Sequence, residues 1–270
     1  MIGYHIPFDG FSGSLEYAKS IGLPTFQIFI RNNRNSKQRD ISEMDIAYFN
    51  SHLYASGITS FVVHEPYVMN PASGDAALRQ KSVRMLQSDL LLLQKLFGVK
   101  YMVVHPGAST DYDRDTCMQN LFKSVRDVLP YTKGTKFCIE TMAGCGTQLM
   151  STMDDIRAFV EEFKDESDAC LCLDTCHLFG AGILFDEVMD YLKESEFKKV
   201  GPLHLNGSMH PFGSRKDRHD SVHHGYIPYD ELTREIRRFQ AECSNKPIVL
   251  EMPEDVIHTD WLSLQAEGIF

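Results

Sequence analysis

Short apolar runs alternate along the chain with longer stretches of helical periodicity. Eight of the runs predict β-strands, and they begin roughly 25–45 residues apart, about the length of one strand–helix unit. They are IGYHI (2–6), FQIFI (26–30), FVVH (61–64), YMVVH (101–105), FCIE (137–140), CLCLD (170–174), PLHL (202–205) and PIVLE (247–251). This alternation predicts an α/β fold, a single (β/α)8 TIM barrel. The alternative is a doubly wound sheet, but no GxGxxG follows the first strand.

The clearest helical stretches carry signals for their ends. Helices are predicted over residues 76–97, 152–163 and 229–241. Gly98 follows the first of them and predicts a C-cap. Ser151 precedes the second, with Asp154 three positions on, which predicts an N-cap box. The chain has no linker-like or low-complexity segment, so we expect one domain over residues 1–270.

The composition is that of an ordinary soluble enzyme, with 43% hydrophobic and 24% charged residues. No run of about 18 apolar residues predicts a membrane span, and MIGYHIPFDG lacks the features of a signal peptide. Seven cysteines without a CxxC pair indicate reduced thiols. We expect a cytoplasmic monomer, with the nucleus or a virion as open alternatives. The net charge of −10, taken alone, argues against a polyanionic partner.

Polar residues stand at or near the C-terminal ends of six consecutive predicted strands. They are His64, His105, Glu140, Asp174, His204 and Glu251. In a barrel those ends meet at one mouth, where active sites form. Any one of them alone is more often a hydrogen-bonded histidine or a helix cap, but clustered carboxylates repel one another without a cation. Nitrogen and oxygen ligands in these proportions suit zinc or manganese, so we predict a metal cluster at the mouth.

Two further segments extend this set. His177 lies three residues after Asp174, and FGSRKDRHD (212–220) contains the pair Asp217 and His219. Residues two apart in an extended loop point the same way, so both can reach one ion. Nine candidate ligands are enough for three metals if one carboxylate bridges. Paired metals clamp the attacking and leaving oxygens of a phosphoryl displacement.

Four motifs resemble the signature segments of endonuclease IV, the zinc-dependent apurinic/apyrimidinic endonuclease family. They are HPG (105–107), DTCH (174–177), HLN (204–206) and FGSRKDRH (212–219). The resemblance runs from IGYH at the start of the chain to PIVLE near its end. It implies a TIM barrel with three Zn²⁺ ions, Mn²⁺ being allowed at some sites. It also implies hydrolysis of duplex DNA 5′ to abasic sites, leaving a 3′-hydroxyl and a 5′-deoxyribose phosphate, with 3′-phosphodiesterase activity as a further expectation.

The resemblance assigns a role to each of the nine candidates. One zinc ion is expected on His64, His105 and Glu140. Glu140 bridges to a second ion, which is completed by Asp174, His204 and Glu251. The third ion is expected on His177, Asp217 and His219. Glu140 and Glu251 are the expected catalytic residues, and Glu251 also orients the attacking water.

Basic loops follow the second and seventh predicted strands, as RNNRNSKQR (31–39) and SRKDR (214–218). By the same resemblance, Arg34 enters the DNA at the lesion and Tyr67 contacts DNA. Arg215 and Arg218 either contact phosphates or pair with acidic side chains. Three Zn²⁺ ions would add about +6 at the mouth, which weakens the objection from net charge.

The sequence also departs from the family pattern. DSVHHGYIP (220–228) places His223 and His224 where Gly and an acidic residue are common, and we favour surface histidines over phosphate contacts there. Ser36 replaces a common aromatic residue and Thr141 a common Asn. These changes concern DNA affinity and lesion preference, while the ligand set is complete.

Three other functions remain open from sequence. A metal-dependent sugar isomerase or epimerase uses the same barrel and similar strand-end residues, but it does not need the triad His177, Asp217 and His219. A barrel that binds damaged DNA without cutting it would have lost ligands. A phosphodiesterase for small molecules would not need the basic loops. Cys170 and Cys172 precede the strand end, so we expect them to fill the barrel rather than to bind zinc.

Overall fold

The computed structural model describes residues 1–32, 36, 37 and 39–269 of the chain. Arg34, the predicted lesion-entering residue, lies outside the described residues, and its role stays a prediction.

A closed barrel of parallel strands forms the centre of the molecule. The strands are β1 (Ile2–His5), β2 (Phe26–Ile28), β3 (Ser60–His64), β4 (Val99–Val104), β5 (Thr135–Glu140), β6 (Ala169–Asp174), β7 (Val200–Leu205), β8 (Gly207–Ser208), β9 (His219–Asp220) and β10 (Ile248–Leu250). The order around the barrel is β1-β10-β7-β6-β5-β4-β3-β2, while β8 and β9 form a separate antiparallel pair. All eight predicted strands are present, with ends shifted by at most two residues, so the predicted TIM barrel is confirmed.

Helices follow every strand of the barrel and cover its outside. They are α1 (Gly10–Ser20), α2 (Glu43–His52), α3 (Ala76–Leu93), α4 (Arg114–Val128), α5 (Met153–Glu162), α6 (Thr175–Ala181), α7 (Phe185–Lys193), α8 (Tyr229–Glu242) and α9 (Glu254–Ala266). Their apolar faces and the outward faces of the strands form the main hydrophobic core. Among the described helices, none has the length and apolar character needed to cross a bilayer.

The predicted C-cap of α3 is wrong. The helix ends at Leu93 instead of at residue 97. After the C-cap residue Gln94, the backbone N–H groups of Lys95 and Leu96 donate to carbonyls only three residues back, at 3.0 and 3.1 Å. This tighter turn ends the α-helical hydrogen bonding before Gly98. Gly98, with φ +87°, instead marks the chain reversal into β4.

The predicted N-cap of α5 is wrong by one residue. Thr152 is the N-cap, and its hydroxyl accepts a hydrogen bond from the Asp155 N–H at 3.1 Å. The Asp155 carboxylate in turn accepts from the Ser151 N–H at 2.9 Å and from Arg114 at 2.5 Å. Ser151 therefore stands one position before the helix cap, and Asp155, instead of Asp154, is the acidic residue three positions after the cap.

A second, smaller hydrophobic cluster fills the inside of the barrel. We call it the inner cluster, and its members are Val62, Tyr101, Val103, Cys138, Cys170, Cys172 and Val249. The prediction that Cys170 and Cys172 fill the barrel is confirmed. All seven cysteines are free thiols.

Candidate metal centre

The strand pleat places the candidate ligands directly above the inner cluster. Successive side chains on a strand alternate between its two faces, so residues two apart point the same way. Five candidates stand two positions after a member of the inner cluster, in the pairs Val62–His64, Val103–His105, Cys138–Glu140, Cys172–Asp174 and Val249–Glu251. His204 on β7 pairs with Asp174 and Val249 on the neighbouring strands. The same inward face is thus apolar inside the barrel and polar at its mouth.

Four of these residues form one compact group. The ligand atoms of His64, Glu140, His204 and Glu251 all lie within 4.8 Å of one another. His64 Nε2 lies 3.0 Å from Glu140 Oε2. His204 Nδ1 lies 3.0 Å from Glu140 Oε1 and 2.8 Å from Glu251 Oε2. His105 Nε2 joins the group through Glu140 Oε2, at 3.2 Å.

A second group forms beside the first. His177 Nε2 lies 3.2 Å from Asp217 Oδ2, and His219 Nε2 lies 3.5 Å from Asp217 Oδ1. Asp174 caps α6 by accepting from the His177 N–H at 2.8 Å. The β8–β9 pair aligns Ser208 with His219 and folds the long loop back over the mouth.

The two groups meet at Glu140, whose Oε1 lies 3.3 Å from His177 Nδ1. The structure therefore brings all nine predicted residues to one place. The triad His177, Asp217 and His219 matches the third predicted ligand set. The first and second predicted ligand sets do not form two distinct groups in the structure. His64, expected in the first set, and His204, expected in the second, lie in one group with Glu140 and Glu251.

Three histidines are held through their Nδ1 atoms by backbone carbonyls. The acceptors are Glu65 O for His64 (2.7 Å), Thr141 O for His177 (2.8 Å) and Glu251 O for His219 (3.1 Å). This arrangement directs each Nε2 lone pair toward the centre, as in histidines that bind metals. The Nε2 atoms of His177 and His219 are buried and have no hydrogen-bond partner among the described residues. A cation would satisfy both atoms, so the donor set fits a metal ion.

The electrostatics of the side chains also fit bound cations. Burial opposes ionisation of Glu140, yet the surrounding imidazoles, with His204 foremost, hold its pKa well below its usual range. Burial likewise disfavours charge on His177 and His204, but the neighbouring side chains, chiefly Asp174 for His177 and Cys172 with Glu251 for His204, raise the pKa of each well above its usual value. The carboxylate charges thus favour protonated imidazoles. A bound metal ion would supply positive charge in place of those protons.

At the edge of the centre, burial and neighbouring imidazoles also have opposite effects on the pKa of Asp217. Its burial is outweighed by the neighbouring imidazoles of His177 and His219, with His177 foremost, which together lower the pKa of Asp217 to about 2. Its side chain keeps 30% exposure. The triad is therefore a charged site that solvent reaches from the mouth.

Gln27 and His5 belong to the centre although sequence analysis did not select them. Gln27 is fully buried. Its Oε1 accepts from His204 Nε2 at 2.9 Å, and its Nε2 donates to Glu251 Oε1 and faces His5 Nδ1 at 3.2 Å. Burial lowers the pKa of His5 to about 4, which keeps the ring neutral. The available signal was the single polar residue in the apolar run FQIFI.

Asn206 is a further residue that sequence analysis left without a role, although it ends the quoted HLN motif. Its side-chain amide donates to Asp174 Oδ2 at 2.7 Å, and its carbonyl oxygen accepts from the Glu251 N–H at 2.9 Å. Asn206 is fully buried. It therefore fixes the ends of β6 and β10 relative to each other at the centre.

A pocket of about 270 Å³ opens above the two groups. Tyr67 stands on its rim with 55% exposure, and its ring centroid lies 6.4 Å from that of His105.

Arg215 and Arg218 are exposed in the loop before β9. In the part of the chain that the structure describes, neither lies within ion-pair distance of a carboxylate; Arg218 donates instead to the Asp217 carbonyl at 2.7 Å. The alternative of pairing with acidic side chains is therefore not what the structure shows.

Comparison with known proteins identifies the family. Residues 15–269 match a family model described as a xylose isomerase-like TIM barrel. The chain is 33% identical to a Finegoldia magna protein named probable endonuclease 4, over 94% of this chain and 92% of that protein. The chain belongs to the endonuclease IV family. Its structure is also similar to endonuclease IV from Thermus thermophilus, with a TM-score of 0.83, 26% identity and coverage of 98% of this chain and 97% of that one.

Likeness outside the endonuclease IV family concerns the fold alone. D-Psicose 3-epimerase from Clostridium cellulolyticum H10 superposes with a TM-score of 0.70 at 17% identity, covering 99% of this chain and 97% of that chain. Barrels of this kind therefore carry different chemistries, and the function of each depends on the residues at its site.

His223, one of the two departures from the endonuclease IV pattern, is half-buried. Its ring packs on Tyr229, with centroids 4.5 Å apart, and its backbone N–H donates to the Ser221 hydroxyl at 3.1 Å. His224 is exposed. The expectation of a surface histidine thus describes His224 better than His223.

Proposed function

We propose that this protein is a DNA-repair endonuclease that hydrolyses the phosphodiester 5′ to an abasic site in duplex DNA. The products would be a 3′-hydroxyl and a 5′-deoxyribose phosphate. The observation that carries the proposal is the triad His177, Asp217 and His219 joined to the four-residue group through Glu140. A sugar epimerase does not need this third set of ligands. The relatives named probable endonuclease 4 support the same choice.

The donor set supports three Zn²⁺ ions, with Mn²⁺ allowed at some positions. All nine candidates would serve as ligands: His64, His105, Glu140, Asp174, His177, His204, Asp217, His219 and Glu251. When bound, the ions would acidify a water molecule and offset the negative charge that develops on the phosphoryl oxygens. Glu140 is fully buried between both groups and is the natural bridging carboxylate.

Glu251 is the proposed residue for orienting the attacking water. Its carboxylate lies at the mouth, with one oxygen bonded by Gln27 and the other 2.8 Å from His204 Nδ1. Its backbone N–H is held by Asn206. The carboxylate is thus fixed in position before substrate arrives, and it accepts hydrogen bonds without itself forming a covalent bond.

The rim of the pocket would contact the duplex. Tyr67 offers an exposed aromatic face beside His105, and the guanidinium groups of Arg215 and Arg218 are free of carboxylates in the described part of the chain. Arg34 stays a prediction for the loop after β2. We further expect the protein to act as a monomer with a single domain.

The proposal is tested with a duplex that carries one tetrahydrofuran abasic-site analogue. The purified protein should contain about three metal ions per chain and cut the lesion strand on the 5′ side. An intact duplex of the same sequence is the control. A 3′-blocked nick tests the phosphodiesterase activity, and D-psicose and D-fructose test epimerisation. One metal per chain with an uncut lesion duplex contradicts the proposal, and tight lesion binding without cleavage favours the non-catalytic barrel.

A further inference from the structure

His204 is held differently from three other histidines of the centre. His64, His177 and His219 donate through Nδ1 to backbone carbonyls and turn Nε2 inward. His204 turns Nδ1 inward instead, toward Glu140 and Glu251, and its Nε2 lies 2.9 Å from Gln27 Oε1. A side-chain amide therefore takes the place that a backbone carbonyl takes in the other three.

The orientation of the Gln27 amide follows from its neighbours. One side of the amide contacts Glu251 Oε1 and His5 Nδ1. A carboxylate only accepts hydrogen bonds, so this side must be the NH₂ group. The other side is then the carbonyl oxygen, which also only accepts. His204 Nε2 must consequently carry a proton, and Nδ1 is the nitrogen left for a cation.

We infer that Gln27 is a positioning residue that selects the ligand atom of His204 and holds the carboxylate of Glu251 against the same ring. Glu251, Gln27 and His204 form a closed ring of contacts, because Glu251 Oε2 also lies 2.8 Å from His204 Nδ1. The inference rests on the metal centre of the proposed function and adds a residue that touches neither metal nor substrate.

Burial makes the loss of the Gln27 side-chain contacts energetically costly. Gln27 and His204 are both fully buried. Removing the amide leaves a donor on His204 and an acceptor on Glu251 without partners, in a place where water does not replace them. Loss of such a supporting contact typically lowers metal affinity by about 10–100-fold.

Two substitutions of Gln27 distinguish its contact with His204 from its contact with Glu251. Gln27→Leu removes both of them. Gln27→Glu keeps an acceptor for His204 Nε2 but loses the donor to Glu251. Thr25→Val is the matched control, because Thr25 is also buried beside β2 and donates to the Ser60 carbonyl at 3.0 Å, away from the centre.

The experiment uses the full chain with ¹⁵N-labelled histidine and Zn²⁺ as the probe. In the zinc-loaded protein, the His204 signal, assigned by its absence from His204→Asn, should show a protonated Nε2 and a zinc-shifted Nδ1. Competition with a chelator should show about a 10–100-fold loss of affinity for one Zn²⁺ in Gln27→Leu. Gln27→Glu should keep the His204 pattern, and Thr25→Val should match the wild type.

Three results would overturn the inference: no uptake of Zn²⁺, His204 bound through Nε2, or a Gln27→Leu affinity within twofold of the wild type. The spectra of the wild type and of His204→Asn decide the second point even if a Gln27 variant fails to fold. A protein that shows the expected spectrum and affinities but leaves abasic duplex uncut contradicts the proposed function alone.

Discussion

His177 Nε2 lies 3.2 Å from Asp217 Oδ2, although the two residues are separated by β7 and β8 along the chain. The capped start of α6 supplies one and the loop before β9 supplies the other. We expect His177→Asn to lower the zinc content from about three ions per chain to about two, because the triad loses one of its three ligands. Elemental analysis of the purified variant measures this directly.

His223→Asn is the control for that experiment, since His223 packs on Tyr229 outside the centre. It should keep the full metal content. A His177→Asn protein with unchanged metal content and unchanged cleavage would show that the triad does not bind an ion.

Glu251→Gln should abolish most of the cleavage while leaving the fold intact. Gln cannot supply the negative charge that orients a water molecule, but it keeps the size of the side chain. We expect the single-turnover rate on abasic duplex to fall by about 10²–10⁴-fold. The melting temperature should change by only a few degrees. His223→Ala should matter far less, and a Glu251→Gln rate within tenfold of the wild type would remove Glu251 from the mechanism.

Zinc uptake should release protons. Without a cation, neighbouring side chains outweigh burial and raise the pKa of His177 and His204 well above the usual value, which favours the charged form of both rings. Zinc binds neutral imidazole and displaces these protons, so its affinity should fall as the pH is lowered. Calorimetry in two buffers of different ionisation enthalpy measures the number released. We expect more than one per chain at pH 7, and a heat independent of the buffer would refute this account.

The strand pattern, with polar residues at the strand ends, was sufficient to predict the barrel and six of the candidate ligands, whereas His177, Asp217 and His219 came from the segments that follow the sixth and seventh predicted strands. His64 and Glu140 follow apolar residues by two positions, and this spacing is visible in sequence. Gln27 lies in the middle of its strand and was missed. In a barrel the strands are staggered, so a mid-strand residue can stand level with the end of a neighbouring strand. The strand register confirms this on one side, since Gln27 pairs with His5, the last residue of β1.

Local helix ends were harder to predict than the strands of the barrel. The apolar periodicity of α3 continues to Leu96, whereas its hydrogen bonding tightens after Leu93. Periodicity reports which face is buried and does not distinguish a last α-turn from a tighter turn. At α5, Ser151 and Thr152 are both good caps, and only the contact to Asp155 selects between them.

Removal of one partner from a buried ion pair should lower the stability of the fold strongly. The Arg31 guanidinium contacts both carboxylate oxygens of Asp89, with Nη2 2.8 Å from Oδ1, and the side chains are 7% and 0% exposed. Asp89→Asn should lower the free energy of unfolding by about 3–5 kcal/mol, because it removes the carboxylate that contacts the buried Arg31 charge on two sides. Urea denaturation at neutral pH measures the loss.

Asp186→Asn is the matched control, since Asp186 pairs with Arg238 in a more exposed place. An exposed pair contributes about 0–1 kcal/mol. Equal losses in the two variants would mean that burial of the Arg31 pair has no special effect.

The inner cluster limits the route by which ions reach the metal centre. It fills the barrel below the centre so tightly that a Cβ atom at Gly201 would lie 2.7 Å from Cys138 Sγ. Ions and water therefore enter and leave through the mouth. A duplex lying across that mouth would seal the centre, so the metal would not exchange during a catalytic cycle. A chelator would then inactivate the idle protein faster than the protein engaged on its substrate.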